Sequence, residues 1–153
     1  MSETQQDVVL QLSRRYDAPR ERVFDAWTSP EVLKQWWAAQ PTWHGEIAEV
    51  DLRPGGRYRL GMKDPESGTV HIVNGEYKEV NRPEKVAFTW QWEGHPLEPD
   101  GSSVTLVEID FVEDGDATEV TLTHSGFASE EISESHSHGW TGCLDSLGRY
   151  LSK

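Results

Sequence analysis

Two histidines, His124 and His136, carry the side chains best suited to chemistry in this sequence. Each falls in phase with an apolar face of its own segment. An imidazole in that position can orient the carbonyl or hydroxyl group of a ligand, act as a general acid or base, or be a hydrogen-bonded residue of the core. The residues themselves leave these three interpretations open.

Residue spacing argues against a metal site and against a nucleophile–base pair. His136 and His138 lie two residues apart in a predicted helix, so their side chains point about 200° away from each other and cannot chelate one ion. A zinc site would need His136 to meet His124 and a third ligand such as a carboxylate. His124 and Ser125 are neighbours on a predicted strand and face opposite sides. We therefore predict no metal, no cofactor and no catalytic residue.

Aromatic residues at alternating strand positions form the best candidate for a binding surface. Phe88, Trp90 and Trp92 are two residues apart and should share one face. Seven tryptophans require either a very aromatic core or a cavity that stacks on a ligand. We favour the cavity, and we place Trp37 rather than Trp36 at its mouth. The predicted lining combines large apolar side chains with the two histidines: Trp37, Tyr58, Met62, Tyr77, Phe88, Trp90, Trp92, Ile109, His124, His136, Trp140 and Leu144.

The periodicity of apolar residues predicts the elements that would bring this set together. Branched and alternating residues indicate a first strand near 8–16, and steps of three and four residues indicate two short helices, at about 19–27 and from Pro30 onwards. Ser29 is the predicted cap of the second helix. Turn clusters then separate six further strands, at about 46–52, 56–63, 70–80, 85–93, 103–112 and 118–125. A last helix follows at about 129–151. A longer loop, 94–103, interrupts the strands.

Short connections make these strands an antiparallel meander, because a parallel sheet would need crossover helices. A sheet with one long amphipathic helix buries that helix against its own concave face. The predicted fold is therefore α+β: a curved antiparallel sheet of about seven strands around a long C-terminal helix, with two short helices after the first strand. A length of 153 residues is typical of a single domain, 1–153.

Composition limits the classes of partner. Fourteen basic against 27 acidic residues give a formal net charge of −13, which disfavours nucleic acid and anionic membrane surfaces. No apolar run is long enough to insert into a membrane, and the first residues lack the pattern of a secretory signal. The single cysteine, Cys143, excludes an internal disulfide. We therefore expect a cytoplasmic protein.

Several motifs, in order, resemble one family. Segment 16–27 reads Tyr-Asp-Ala-Pro-Arg-Glu-Arg-Val-Phe-Asp-Ala-Trp, and Pro30-Glu31 and Trp36-Trp37 follow it. Segments 51–58, 75–80, 118–124 and 139–144 match later motifs. Together they resemble the family named for the C-terminal domain of activators of the heat-shock-protein-90 ATPase. The resemblance implies a helix-grip fold like that of START domains and plant-pollen allergens, a superfamily that includes lipid carriers, hormone receptors and polyketide cyclases.

Three functions remain open at this level. The leading one is a binding or carrier protein for a small hydrophobic or amphipathic molecule. The second is a cyclase- or hydrolase-like enzyme that uses His124 or His136 as general acid or base in the same cavity. The third is a chaperone-interaction module. The eukaryotic co-chaperones carry a separate N-terminal domain for that contact, and 153 residues leave no room for it, so we expect no chaperone contact. A homodimer through a strand edge or helix face is compatible with the sequence.

Overall fold

The strands form one antiparallel sheet in the computed structural model, which describes residues 8–93, 104–127 and 129–152. In chain order they are β1 (Val8–Tyr16), β2 (His44–Val50), β3 (Arg57–Lys63), β4 (Val70–Asn81), β5 (Lys85–Glu93), β6 (Thr105–Asp114) and β7 (Ala117–Phe127). Across the sheet the order is β1-β7-β6-β5-β4-β3-β2. β1 and β2 are therefore the two edges, and β2 to β7 follow one another as a meander.

The helices within the described residues are α1 (Arg20–Thr28), α2 (Pro30–Trp36) and α3 (Glu130–Leu151). Pro30 occupies the first turn of α2, where its missing N–H costs no hydrogen bond. Ser129 caps α3, since its hydroxyl oxygen accepts a hydrogen bond from the N–H of Ile132 at 3.2 Å. Glutamates in the first turn of α3 complement the helix dipole. These signals fix where each helix begins.

The curved sheet wraps around α3 and encloses the hydrophobic core. The Tyr16 hydroxyl on β1 donates to the Leu144 carbonyl of α3 at 2.7 Å, and the Ser146 hydroxyl of α3 donates to the Trp36 carbonyl of α2 at 2.6 Å. Alternate residues of the strands face the interior and are buried, for example Val107, Ile109 and Phe111 on β6. The long helix is thus anchored both to an edge strand and to the short helices.

The predicted α+β class and the predicted order of elements are confirmed, with small differences at boundaries. Pro19 is the N-cap of α1 in an extended conformation, not its first helical residue. Ser29 precedes α2 as predicted, but its hydroxyl contacts Glu31 instead of capping a backbone N–H. β2 starts and ends two residues earlier than predicted. The predicted loop 94–103, and with it the predicted start of the sixth strand, lies outside the described residues.

Gly142 permits the close approach of α3 to the segment that follows α2. A Cβ atom at this position would overlap the backbone carbonyl oxygen of Ala39. At Gly139, one turn earlier, a Cβ atom would meet nothing within 4 Å. We expect Gly142→Ala to lower the free energy of unfolding by about 1–3 kcal/mol, whereas Gly139→Ala should raise it by up to about 1 kcal/mol.

Urea denaturation of both variants measures this contrast. The two substitutions add the same methyl group to the same helix, so helix propensity contributes equally to each. Equal stabilities for the two variants would contradict the close contact at Ala39.

Candidate functional site

A cavity of about 380 Å³ lies between the sheet, the segment after α2 and the N-terminal half of α3. Its inner wall consists of buried residues from several elements: Trp37, Met62, Trp90, Trp92, His136, Trp140 and Cys143. Half-buried and exposed residues form the mouth: Ala39, Gln40, Trp43, His71, Ser135, His138 and Gly139. The volume lies within the range of pockets that hold small organic molecules.

Tryptophan rings make up most of the inner wall. The Trp90 ring lies 4.8 Å from the Trp140 ring, 5.3 Å from the Trp92 ring and 6.0 Å from the Trp37 ring, measured between centroids. These are the tilted and edge-to-face arrangements that aromatic rings prefer. Trp90 is thus at the centre of the wall, in contact with each of the other three tryptophans.

The local sequence explains why these rings converge. On β5, the alternation of a strand turns Phe88, Trp90 and Trp92 inward, and all three are buried. Trp140 lies on the inner face of α3. Trp37 follows the last residue of α2 in an extended conformation, which ends the helix and directs the chain toward β2. The wall therefore combines residues from a strand, from one face of a helix and from the end of another helix.

His124 lies behind the wall, fully buried on β7. Its Nδ1 accepts a hydrogen bond from the Trp140 indole N–H at 3.0 Å. An indole nitrogen can only donate, so Nδ1 carries no proton and the proton of the neutral ring resides on Nε2. That Nε2–H donates to the Thr105 hydroxyl oxygen at 2.6 Å, and the Thr105 hydroxyl donates to the Trp90 carbonyl at 3.3 Å. Both ring nitrogens of His124 therefore have partners.

His136 is held in the opposite tautomer. Its Nε2 accepts a hydrogen bond from the Trp92 indole N–H at 2.8 Å, and its Nδ1–H donates to the Ile132 carbonyl at 2.8 Å on the preceding turn of α3. The His136 ring lies 5.2 Å from the His124 ring. Two neutral imidazoles are thus packed together, and each is oriented by one indole N–H.

Burial keeps the His124 imidazole and the Cys143 thiol uncharged. Burial, and secondarily the neighbouring His136, lower the pKa of His124 well below its usual range. Burial also raises the pKa of the Cys143 thiol to about 12, so it stays protonated at neutral pH. The site therefore offers a ligand aromatic surface and hydrogen bonds rather than ionised groups.

Six of the predicted site residues line this cavity: Trp37, Met62, Trp90, Trp92, His136 and Trp140. Trp37 belongs to the inner wall, since it is only 2 % exposed, and not to the mouth where the sequence placed it. Trp36 lies outside the lining, and its indole N–H donates to the Ala26 carbonyl at 2.8 Å.

The other six predicted residues are buried elsewhere. Tyr58, Tyr77 and Phe88 pack on one another, with centroids 5.1–6.0 Å apart, around a small separate void beside α1 and α2. The Tyr58 hydroxyl donates to the Thr89 carbonyl. The remaining three are fully buried outside the lining: Ile109, His124 and Leu144. The inward face of the sheet extends beyond the cavity. Residues that share this face therefore do not all line the cavity.

Trp43 and His71 at the mouth were missed by the sequence reasoning. Their rings stack with centroids 4.9 Å apart and planes within 11° of parallel. His71 lies on β4 in phase with the buried residues Val73 and Tyr77, so strand alternation carried a usable signal. Trp43 precedes β2 in a turn without periodicity, and no signal marked it.

The described residues were also searched for a metal site and for a membrane-spanning helix. Among them, no group of three or more histidine, cysteine, aspartate or glutamate side chains is placed to hold a metal ion. None of the helices described is long and apolar enough to cross a membrane.

An antiparallel sheet wrapped around a long C-terminal helix defines the helix-grip class of protein. Residues 17–152 match the family model described as activator of Hsp90 ATPase homolog 1-like protein, and the chain belongs to that family. A search of curated proteins found no match.

Solved structures with the same architecture span nearly the whole chain. Protein CV1439 from Chromobacterium violaceum is 23% identical with a TM-score of 0.81, over 95% of this chain and 99% of that one. An AHSA1 protein from Silicibacter pomeroyi is 26% identical with a TM-score of 0.81, over 95% and 98%. CalU16 from Micromonospora echinospora is 28% identical with a TM-score of 0.69, over 94% and 76%. The fold and the buried aromatic cluster are compatible with a ligand-binding domain in general.

Proposed function

We propose that this protein binds a small, neutral, largely apolar molecule in the aromatic cavity. The observation that carries the proposal is the cavity itself, about 380 Å³ in volume, with an inner wall of four tryptophans, a methionine, a histidine and a cysteine. Burying apolar ligand surface against such a wall is favourable by about 25 cal/mol per Å². A concave pocket lined mainly by aromatic and apolar side chains, with a few polar groups, is the usual form of a small-molecule site.

The charge of the lining favours a neutral ligand. Among the residues that the structure describes, the lining contains no aspartate, glutamate, lysine or arginine, although the chain has 27 acidic and 14 basic residues. A buried charge on the ligand would therefore lose its hydration without gaining an ion-pair partner. The net charge of −13 further disfavours anions. Polar groups at the mouth, from Gln40, Ser135 and His138, suit an amphipathic molecule whose polar end faces solvent.

The geometry gives less support to acid–base catalysis by the histidines. Each ring nitrogen of His124 and His136 already has a hydrogen-bond partner, and one partner of each ring is an indole N–H. A general base needs a lone pair within reach of the substrate proton. Either histidine would have to break its bond to a tryptophan before it could act, so binding without turnover is the better-supported function.

The first experiment asks whether the purified protein carries a ligand and whether it takes up a neutral probe. Native mass spectrometry detects a molecule that co-purifies. Titration with tetralin, a bicyclic hydrocarbon, is then followed by NMR of the seven tryptophan indole N–H groups. Saturable shifts confined to tryptophans of the cavity are expected. No co-purifying molecule together with no saturable shift would count against the proposal.

Gly139 provides a variant that blocks the cavity. Gly139 lines the mouth, and a Cβ atom added there would have no other atom within 4 Å. We expect Gly139→Phe to weaken tetralin binding at least tenfold, because an aromatic ring would occupy the volume that the probe needs. The titration above measures it.

Gly139→Ala is the matched control, since it alters the same helix position without filling the cavity. The alanine variant should bind tetralin as the unmodified protein does. Undiminished binding by a folded Gly139→Phe protein would place the probe somewhere other than this cavity.

A further inference from the structure

The inner wall of the cavity has few atoms left that can accept a hydrogen bond. The Nε2 lone pair of His136 is taken by Trp92, and its Nδ1 carries a proton that is donated to Ile132. The Met62 sulfur receives the backbone N–H of Ala39 at 3.3 Å. Indole rings have no acceptor atom, and a cysteine thiol is a weak one. A hydroxyl or amine group of a ligand placed against these side chains would therefore find few acceptors for its hydrogen.

Two hydrogen-bond donors of the same wall lack a partner. The indole nitrogens of Trp37 and Trp90 are buried and have no hydrogen-bond partner in the part of the chain that the structure describes. The other two tryptophans of the wall are paired, Trp92 with His136 and Trp140 with His124. Buried indole N–H groups usually find a partner, because leaving them unpaired costs free energy.

From this asymmetry we infer the chemical class of the ligand: its buried end carries a carbonyl-type oxygen, as in a ketone or quinone, and no hydroxyl or amine. This inference rests on the proposed function. The Trp37 and Trp90 rings both line the cavity with centroids 6.0 Å apart, so one bound molecule contacts both. A carbonyl oxygen has two lone pairs and no hydrogen, and it matches a wall that has two unpartnered donors and few available acceptors.

The binding event includes a small adjustment of the wall. The two indole nitrogens are shielded by surrounding atoms, so a ring must rotate about its side-chain torsions to present its N–H to the oxygen. Because water does not compete at these shielded positions, the bond formed there contributes to selectivity between ligands of equal shape.

Three bicyclic probes with the same carbon skeleton test the inference: tetralin, α-tetralone and α-tetralol. Each association constant is divided by the probe's octanol–water partition coefficient, which removes the difference in hydrophobicity. After this correction α-tetralone should bind about five- to tenfold more tightly than either of the others. In the unmodified protein it should also shift the indole N–H resonance of Trp37 or Trp90, and tetralin should not shift it comparably.

Substitutions that remove one indole N–H identify the donor. Trp37→Phe and Trp90→Phe should reduce the corrected preference for α-tetralone, and the double variant should abolish it while tetralin still binds. Trp36→Phe is the matched control, since the Trp36 N–H already donates to Ala26 and its ring lies outside the lining. That variant should keep the preference.

Two results would overturn the inference about the carbonyl group but not the proposed function. One is equal corrected affinities of α-tetralone and α-tetralol, and the other is a preference for α-tetralone that survives in the double variant. In both cases tetralin still binds and the proposed function stands. Failure of all three probes to bind the folded protein would overturn both.

Discussion

His124→Leu is expected to lower the free energy of unfolding by about 2–4 kcal/mol. Leucine fills a similar volume but accepts no hydrogen bond, so the buried Trp140 indole N–H loses its acceptor. Thr105 loses the donor that His124 Nε2–H provides. An orphaned buried donor costs more than the net value of the bond, because it keeps the penalty of leaving water. Urea denaturation at pH 7.5 measures the loss.

A double-mutant cycle with Trp140→Phe isolates the bond between the two side chains. Phenylalanine removes the indole N–H and keeps an aromatic ring in place. If the bond contributes as the geometry indicates, the double variant should be more stable than the sum of the two single effects predicts, by about 1–2 kcal/mol. Strictly additive effects would mean that His124 stabilises the fold by packing alone.

Much of the fold was predictable because its signals are local. On β5, alternation alone assigned Phe88, Trp90 and Trp92 to the buried face, and Pro30 marked the start of α2. The exact residue at which a helix ends was harder to predict. The end of α2 between Trp36 and Trp37 gives two adjacent tryptophans different roles, since Trp36 bonds to Ala26 and Trp37 lies in the cavity wall. The sequence assigned Trp37 to the cavity but placed it at the mouth, because the extended backbone at Trp37 was not predicted.

The candidate site was only half predictable because its decisive contacts are distant in sequence. Trp92 and His136 are 44 residues apart, and nothing near either residue specifies that they bond. The shared face of the sheet was inferred correctly, yet Tyr58 and Tyr77 pack against each other around a second void, beside Trp27 of α1, and do not line the cavity. Which part stays open depends on how three helices pack on one sheet, and strand periodicity carries no information about that.

The histidine pair links this packing to the cavity. Trp90 and Trp140 each have one ring face or edge toward His124 and also line the cavity. Because His124 holds Trp140 and, through Thr105, the backbone of Trp90, it positions two rings of the wall without itself touching the cavity. Loss of either bond is therefore expected to disturb the wall as well as the stability.

As the pH is lowered, the protein should unfold at a higher pH than it would if only its carboxylates titrated. The unfolded chain protonates His124 near pH 6.5, the ordinary pKa of histidine, whereas burial keeps the pKa of the folded state well below that value. Between these two pKa values the unfolded state binds a proton that the folded state does not. Stability contributed by neutral His124 is therefore complete above pH 6.5 and falls below it by about 1.4 kcal/mol per pH unit.

Comparison with His124→Leu isolates this effect from the other titrating groups. All acidic residues and the remaining five of the six histidines are common to both proteins, so their contributions largely cancel. The stability advantage of the unmodified protein should shrink by about 2 kcal/mol between pH 6.5 and pH 5. An advantage that stays constant over this interval would mean that folded His124 takes up a proton as readily as the unfolded chain does.

Nitrogen NMR of the imidazole rings tests the cause directly. The hydrogen-bond donors require His124 to carry its proton on Nε2 and His136 to carry its proton on Nδ1, so the two rings should give opposite tautomer patterns at pH 7.5. Protonating His124 removes the only lone pair that can accept the Trp140 N–H. The His124 signals should therefore keep their neutral pattern as the pH falls, until the protein unfolds. A folded protein whose His124 titrates near pH 6.5 would show that the Trp140 bond is not what keeps this imidazole neutral.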